Sequence, residues 1–414
     1  MRPVSIFVVI TTILIVLTIG IAAPLQAQGK KPVVVGFIHS MSGAMSMYGI
    51  SSEAGGQIAV EEINAAGGIL GRPLKMITRD DKLNPEVGLR EAKDLLLSEK
   101  ADFLTGTISS AVALAISNHV KREKKIFIVN ISQSSSITEE NWHPYIFRID
   151  TNAVPYWGYA PAIALANTWK DKKIVSLGFD YETGKNSLKA FKEKYFQLIP
   201  TAKIIDELWA PLGTTDFTAY ITKIANSGAD AFFLSCIYGG GELAFTKQAY
   251  AFGLYDKMHA IQPCAGDVET WHGVKKGEPY PKGTLATGRY PFWAIDDPKS
   301  KSFVEKHNKK VSFYPSYGAM NQYVIMYALK AAIEKAGGVD TEKIIKALEN
   351  MTLDTFVGKI PIRAYDHQAM MPTWYGIMDF SPGLPFPHLA KTQGVMGEES
   401  YHTVEQIKKL RQKK

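Results

Sequence analysis

Lys31-Pro32-Val33-Val34-Val35-Gly36-Phe37-Ile38-His39 is a mainly β-branched, apolar run that turns polar just beyond its end. It does not alternate between apolar and polar residues. Both faces are therefore expected to be buried, as in an inner strand of a parallel sheet. The next segments of the chain repeat the unit. Residues 51–66 have helical spacing, with Ile58, Ile63 and several alanines on one face, and Gly67-Gly68 stop the helix. Residues 74–78 read as a second strand, and 85–98 as a helix with Pro85 in its first turn. Residues 101–105 and 125–130 read as strands three and four, with a helix over 109–124 between them. Such alternation implies a parallel sheet with helices on both faces.

The same order then restarts. A helix over 154–169 leads to strands at 173–179, 203–209, 231–236 and 258–262, with helices over 184–198, 217–227 and 241–252 between them. The expected fold is α/β, with two doubly wound parallel-sheet lobes. After Gly288 come helices over 298–308, 316–336 and 341–350. The stripe Tyr323, Met326, Leu329 and Ile333 on the second of these is expected to pack in a core. Residues 356–363 and 374–380 read as strands joined by a turn around Asp366. Lobe one is then residues 31–150 with 289–355, lobe two is 151–288 with 356–395, and 396–414 form a basic tail.

The chain opens on Arg2, an apolar run and the small residues Ala22-Ala23-Pro24-Leu25-Gln26-Ala27. That order is a secretory signal peptide over 1–27, cleaved after Ala27, with a membrane anchor as the competing reading. Export to the periplasm is expected. The net charge of +7 over 414 residues is mild, and part of it sits in Lys408, Lys409, Arg411, Lys413 and Lys414. A terminal run of that kind is a solvated helix end, so no nucleic-acid partner is expected. Cys236 and Cys264 permit one bridge or two free buried thiols, and their spacing matches no metal motif.

His39 to Gly49 lacks the dinucleotide fingerprint and the P-loop lysine, and G-x-S-x-G, H-E-x-x-H and Cys/His clusters are absent. Neither an enzyme nor a cofactor is expected. Parallel sheets bind ligands where their strands end, beside the free N–H groups of helix amino termini. Strand three ends in Thr105-Gly106-Thr107-Ile108-Ser109-Ser110, and strand four in Ser132-Gln133-Ser134-Ser135-Ser136. Ser109 or Ser110 either caps the helix or helps to cradle a carboxylate.

Five segments, in order, carry a family resemblance. They are Met41-Ser42-Gly43 with Tyr48-Gly49; Glu62-Ile63-Asn64-Ala65-Ala66-Gly67-Gly68-Ile69; Gly71-Arg72-Pro73-Leu74 with Asp80-Asp81; Pro211-Leu212-Gly213-Thr214-Thr215-Asp216-Phe217; and Gly228-Ala229-Asp230-Ala231. Over nearly the whole mature chain it resembles the periplasmic solute-binding proteins of the leucine/isoleucine/valine type, receptors of ABC importers with the type I periplasmic-binding fold. The resemblance implies two lobes joined by three crossing strands that close on a ligand. It also implies a membrane permease as partner, a monomeric receptor and a small carboxylate-bearing ligand. By the same resemblance Ser110 meets the carboxylate, Ile131 and Gln133 hold the polar head, and Tyr48 covers the ligand. The second lobe would add Tyr181, Thr183 and Tyr238.

Three departures stand out. Cys264 or Ala265 occupies the place of the acidic residue that pairs with a ligand ammonium, and Asp267 is the nearest substitute. Gln133 replaces a small hydroxyl residue. Leu83 and Ser109 stand where the family has a lobe-one disulfide. The ligand is thus either an amino acid or an amine-free aromatic or aliphatic acid. An exported sensor using the same cleft, or a secreted enzyme, are the other readings.

Overall fold

The computed structural model describes residues 30–395, 397 and 400–412. The proposed signal segment and cleavage site lie outside these residues. Among the described residues, no helix is long and apolar enough to cross a membrane.

The first half of the chain supplies β1 (Val33–His39), β2 (Leu74–Asp80), β3 (Phe103–Gly106), β4 (Phe127–Val129) and β5 (Ile146–Arg148). The middle supplies β6 (Lys173–Phe179), β7 (Lys203–Ala210), β8 (Ala231–Ser235), β9 (His259–Ile261) and β10 (Leu285–Gly288). The last part adds β11 (Thr352–Thr355), β12 (Gly358–Arg363), β13 (Gln368–Ala369), β14 (Thr373–Asp379) and β15 (His388–Val395). They form two sheets, ordered β11-β12-β13-β5-β4-β3-β1-β2 and β15-β14-β10-β9-β8-β6-β7. Pairing from β5 to β2 and from β7 to β10 is parallel throughout. Every residue of β1 is buried, as its continuous apolar run requires.

The chain passes between the sheets three times, over 149–153, 289–297 and 370–372. The boundary expected near residue 356 is corrected. β12 and β13 belong to the first sheet, where Gln368 pairs with Arg148 of β5, and only β14 and β15 join the second. The turn at Asp366 therefore closes β12 onto β13, and the crossing comes after it. A short strand's own pattern specifies a buried face and not which sheet provides the neighbour.

Helices Ser46–Ala65 and Tyr317–Ala336 pack together on the first sheet. Gly55 permits their approach, because a Cβ there would lie 2.1 Å from the Ala319 carbonyl oxygen. Met326, Leu329 and Ile333 are fully buried, so the stripe packs as expected. Tyr323 is half-buried and donates to Glu62 at 2.6 Å.

One expected helix departs from α geometry. Residues Val154–Tyr159 form a π-helical turn before the α-helix Ala160–Thr168. Pro161 has no N–H to give the Trp157 carbonyl, and its ring crowds that turn. The Ala160 N–H reaches Pro155 instead. Such widened turns concentrate at functional sites.

The tail is also corrected. Residues Val404–Gln412 form a helix docked through the fully buried Ile407 and through Arg411, while Lys408 and Lys409 stay exposed as expected.

Candidate functional site

The loops at the strands' carboxyl ends converge from both sheets on a cavity of about 460 Å³. Tyr48 reaches it from the first turn of its helix, Ser109 and Ser110 from the end of β3, and Ile131 and Gln133 from the end of β4. The second lobe sends Tyr181 and Thr183 from the end of β6, Tyr238 from β8 and Cys264 from β9. Nine of the ten expected residues thus share one space. A larger groove of about 910 Å³ runs over Lys299, Tyr323, Tyr327 and Phe356. It takes no residue from the second lobe, and the interlobe cavity is the candidate site.

The two serines make different hydrogen bonds. Ser109 caps helix Ser110–Glu123 by accepting from the Val112 N–H at 3.4 Å. Ser110 accepts from the Ser134 N–H at 3.1 Å, which ties the β4 loop to this helix and leaves its own O–H free to donate. Gly106, at φ +123, turns the chain here, where a Cβ would lie 2.1 Å from the Ile38 carbonyl oxygen.

Two hydrogen bonds cross between the lobes at the cavity. Trp157 Nε1 donates to Gln133 Oε1 at 2.6 Å, and Ser134 Oγ donates to Glu182 Oε1 at 3.1 Å. Gln133 Nε2 also donates to Thr151 at 3.3 Å. With one lone pair of its oxygen and one N–H engaged, the oriented Gln133 amide keeps one N–H donor and one lone pair.

Sequence reasoning missed Arg289. It lies on the second crossing, is 4% exposed and lines the cavity. Its guanidinium carbon sits 4.0 Å from the ring centre of Tyr156 and 3.2 Å from that of Tyr317, one tyrosine from each lobe. Nε and Nη2 donate to Asp267 at 3.1 and 2.5 Å. Burial alone would lower the arginine's proton affinity, but the Asp267 charge overrides it and keeps the group cationic. Nη1 is buried with no hydrogen-bond partner among the described residues. The sequence signals only its place, directly after a strand at the carboxyl end, and not the partners that bury it.

Asp267 is the exception among the expected residues and is corrected. Its carboxylate accepts from Arg289 and from the Tyr156 hydroxyl at 2.6 Å, and it does not line the cavity. The buried arginine claims it as counter-ion, so it is not offered to an ammonium.

The surroundings are buried. Burial raises the phenols of Tyr48, Tyr181 and Tyr317 well above their usual range, so they remain O–H donors. Tyr181 Oη lies 3.0 Å from Cys236 Sγ. Both cysteines are free thiols. Burial, reinforced by the Asp267 charge, pushes the Glu269 carboxyl up to about 8. Among the described residues, no group of three His, Cys, Asp or Glu could hold a metal ion.

Two mainly parallel α/β lobes, joined by three crossings and lined with hydrogen-bond donors, define a cleft receptor for a small solute. The periplasmic binding protein family model matches residues 32–379, and the chain belongs to that family. It is 25% identical over 341 residues to the Leu/Ile/Val-binding protein BraC3 of Rhizobium johnstonii, covering 79% of this chain and 86% of that one. A solved ABC-type branched-chain amino acid transporter protein of Rhodopseudomonas palustris CGA009 is 25% identical, with a TM-score of 0.74, over 89% of this chain and 97% of the other. The ABC transporter solute-binding protein of Rhodopseudomonas palustris HaA2, solved with p-hydroxybenzoic acid, superposes with a TM-score of 0.79 at 23% identity, over 91% and 100%. These relatives are transporter binding proteins, and the chain is a binding protein rather than an enzyme.

Proposed function

We propose that this chain is the extracytoplasmic receptor of an ABC importer and holds a small amine-free carboxylate between its lobes. The observation that carries the reading is Arg289, a cavity-lining cation whose Nε and Nη2 pair with Asp267 and whose buried Nη1 has no hydrogen-bond partner among the described residues. Ser110 and Gln133 present further donors on the first lobe. A carboxylate oxygen suits such donors, and a hydrogen bond to a charged group contributes about 1.5–3 kcal/mol. The rings of Tyr48, Trp157, Tyr181, Tyr238 and Tyr317 favour a planar apolar body.

An α-amino acid fits less well. By the family resemblance Cys264 or Ala265 stands where an acid would face the ammonium, and Asp267 is engaged by Arg289. Burying that charge unpaired costs several kcal/mol. Glu182 is the remaining carboxylate at the rim, exposed and already accepting from Ser134. The relatives' names span both classes, Leu/Ile/Val binding on one side and p-hydroxybenzoic acid on the other.

The expected cycle is export through the 1–27 signal, capture in the periplasm as a monomer, and delivery to a membrane permease. A thermal-shift panel of benzoates, phenylacetate, aliphatic acids and the corresponding amino acids tests the ligand class. A ligand at a hundred times its dissociation constant stabilises by about 2.7 kcal/mol. Shifts confined to the acids support the reading. Shifts from leucine or phenylalanine, lost on Glu182→Gln, would replace it with amino-acid capture.

A further inference from the structure

We infer that residues 400–412 are a hinge strap, which clamps the first lobe and latches the second through Gln406, and so sets the balance between open and closed cleft.

The clamp is dense. Tyr401 Oη donates to the Met371 carbonyl at 2.8 Å, on the third crossing. Arg363 of β12 donates to the His402 carbonyl at 2.9 Å, and His402 Nδ1 meets the Glu139 carboxylate at 3.0 Å. Arg411 donates to the carbonyls of Glu139 at 2.8 Å and Thr138 at 3.3 Å. Its guanidinium lies 4.9 Å from the ring centre of Trp142 and 4.6 Å from that of Tyr365. All these partners belong to the first lobe or to the third crossing.

The latch arises from the helix's own start. Thr403-Val404-Glu405-Gln406 is a capping box: the Thr403 N–H donates to Gln406 Oε1 at 2.7 Å, and the Gln406 N–H to Thr403 Oγ1 at 3.2 Å. The cap holds the amide oxygen and turns Nε2 outward. There it donates to Glu193 Oε1 at 2.5 Å and lies 3.4 Å from Tyr159 Oη, while Tyr159 itself donates to Glu193 at 2.9 Å. Tyr159 and Glu193 are both second-lobe residues, on either side of β6 in sequence. The lobes also touch across the cleft, at Trp157–Gln133 and Ser134–Glu182, so the latch is made in the closed arrangement. An interaction present in one of two states shifts their ratio by its own free energy.

Two variants break the latch from opposite sides. Gln406→Glu keeps the cap, since glutamate serves equally at that position, but sets a carboxylate against Glu193. Glu193→Ala leaves the strap untouched. Small-angle scattering and hydrogen exchange on the ligand-free full chain read opening without any assumption about the ligand. Both variants should show a larger radius of gyration and faster exchange of cleft-lining amides. The open-to-closed ratio should rise roughly three- to tenfold, the effect of one hydrogen bond. Far-ultraviolet dichroism should be unchanged. Unaltered scattering and exchange in both variants would overturn the proposal. So would opening in Gln406→Glu alone, which would trace the effect to the helix itself.

Discussion

Trp157 and Gln133 join the two lobes through a single 2.6 Å hydrogen bond, in which the indole N–H of one fixes the amide of the other. The widened turn at Val154–Tyr159 places Trp157 there, and the end of β4 places Gln133. The bond thereby fixes the orientation of the Gln133 amide in the cavity.

Trp157→Phe keeps an aromatic ring in this position but removes the donor. The amide is then free to flip and present its oxygen. Affinity for the best acid of the panel should fall roughly two- to tenfold, the effect of one neutral hydrogen bond. Discrimination against the matching primary amide should relax as well. Calorimetry with the acid and its amide measures both, and an unchanged ratio would mean that Trp157 has no part in specificity.

Ser109→Ala and Ser110→Ala should separate capping from binding. Loss of the Ser109 cap costs about 1 kcal/mol of stability with little change in affinity. Loss of the Ser110 hydroxyl should weaken ligand binding roughly ten- to a hundredfold, and it also costs about 1–3 kcal/mol of stability because the buried Ser134 N–H loses its acceptor. Urea melts and calorimetry on the two variants test this, and exchanged outcomes would reverse the roles.

The architecture was legible where periodicity and turn residues agreed. The run at 31–39 contains β1, and the repeated strand–helix order produced both sheets. The strand ends located Ser109, Ser110 and Gln133, since loops at carboxyl ends of parallel strands converge whatever their composition, and the family resemblance supplied the other six cleft residues. Three features were not legible, each because it depends on a distant partner. β12 shows a face but not a sheet. Arg289 reads as a surface cation until Asp267, Tyr156 and Tyr317 surround it. The C-terminal helix looks solvated until Glu139 and Tyr365 receive Arg411.

Asp267→Asn should destabilise the fold whatever ligand is present. Arg289 and Asp267 side chains are 4% and 3% exposed, and removing one partner of a buried pair costs about 3–5 kcal/mol. The urea midpoint should fall sharply. A normal midpoint, combined with loss of amino-acid binding, would return Asp267 to the role of ammonium partner.

The stability of the protein should decline as pH rises between roughly 5 and 8, in part because of Glu269. Its carboxyl ordinarily titrates at 4.5, and burial together with the Asp267 charge raises it to about 8 in the fold, against the opposing pull of Arg289. In that window the unfolded chain has released the proton and the folded chain still holds it. The unfolded state therefore binds fewer protons, and unfolding becomes easier by about 1.4 kcal/mol per pH unit for this group. Below the window both states are protonated, above it both are ionised, and the slope vanishes at either end. Glu269→Gln removes the titrating group while keeping the shape of a neutral acid. The variant should show a shallower decline than the parent and exceed it in stability at pH 7.5, as urea denaturation across pH 4.5–8.5 will read. Parallel curves would mean that Glu269 is ionised in the folded protein at neutral pH, with Arg289 shared between two carboxylates and less available to a ligand anion.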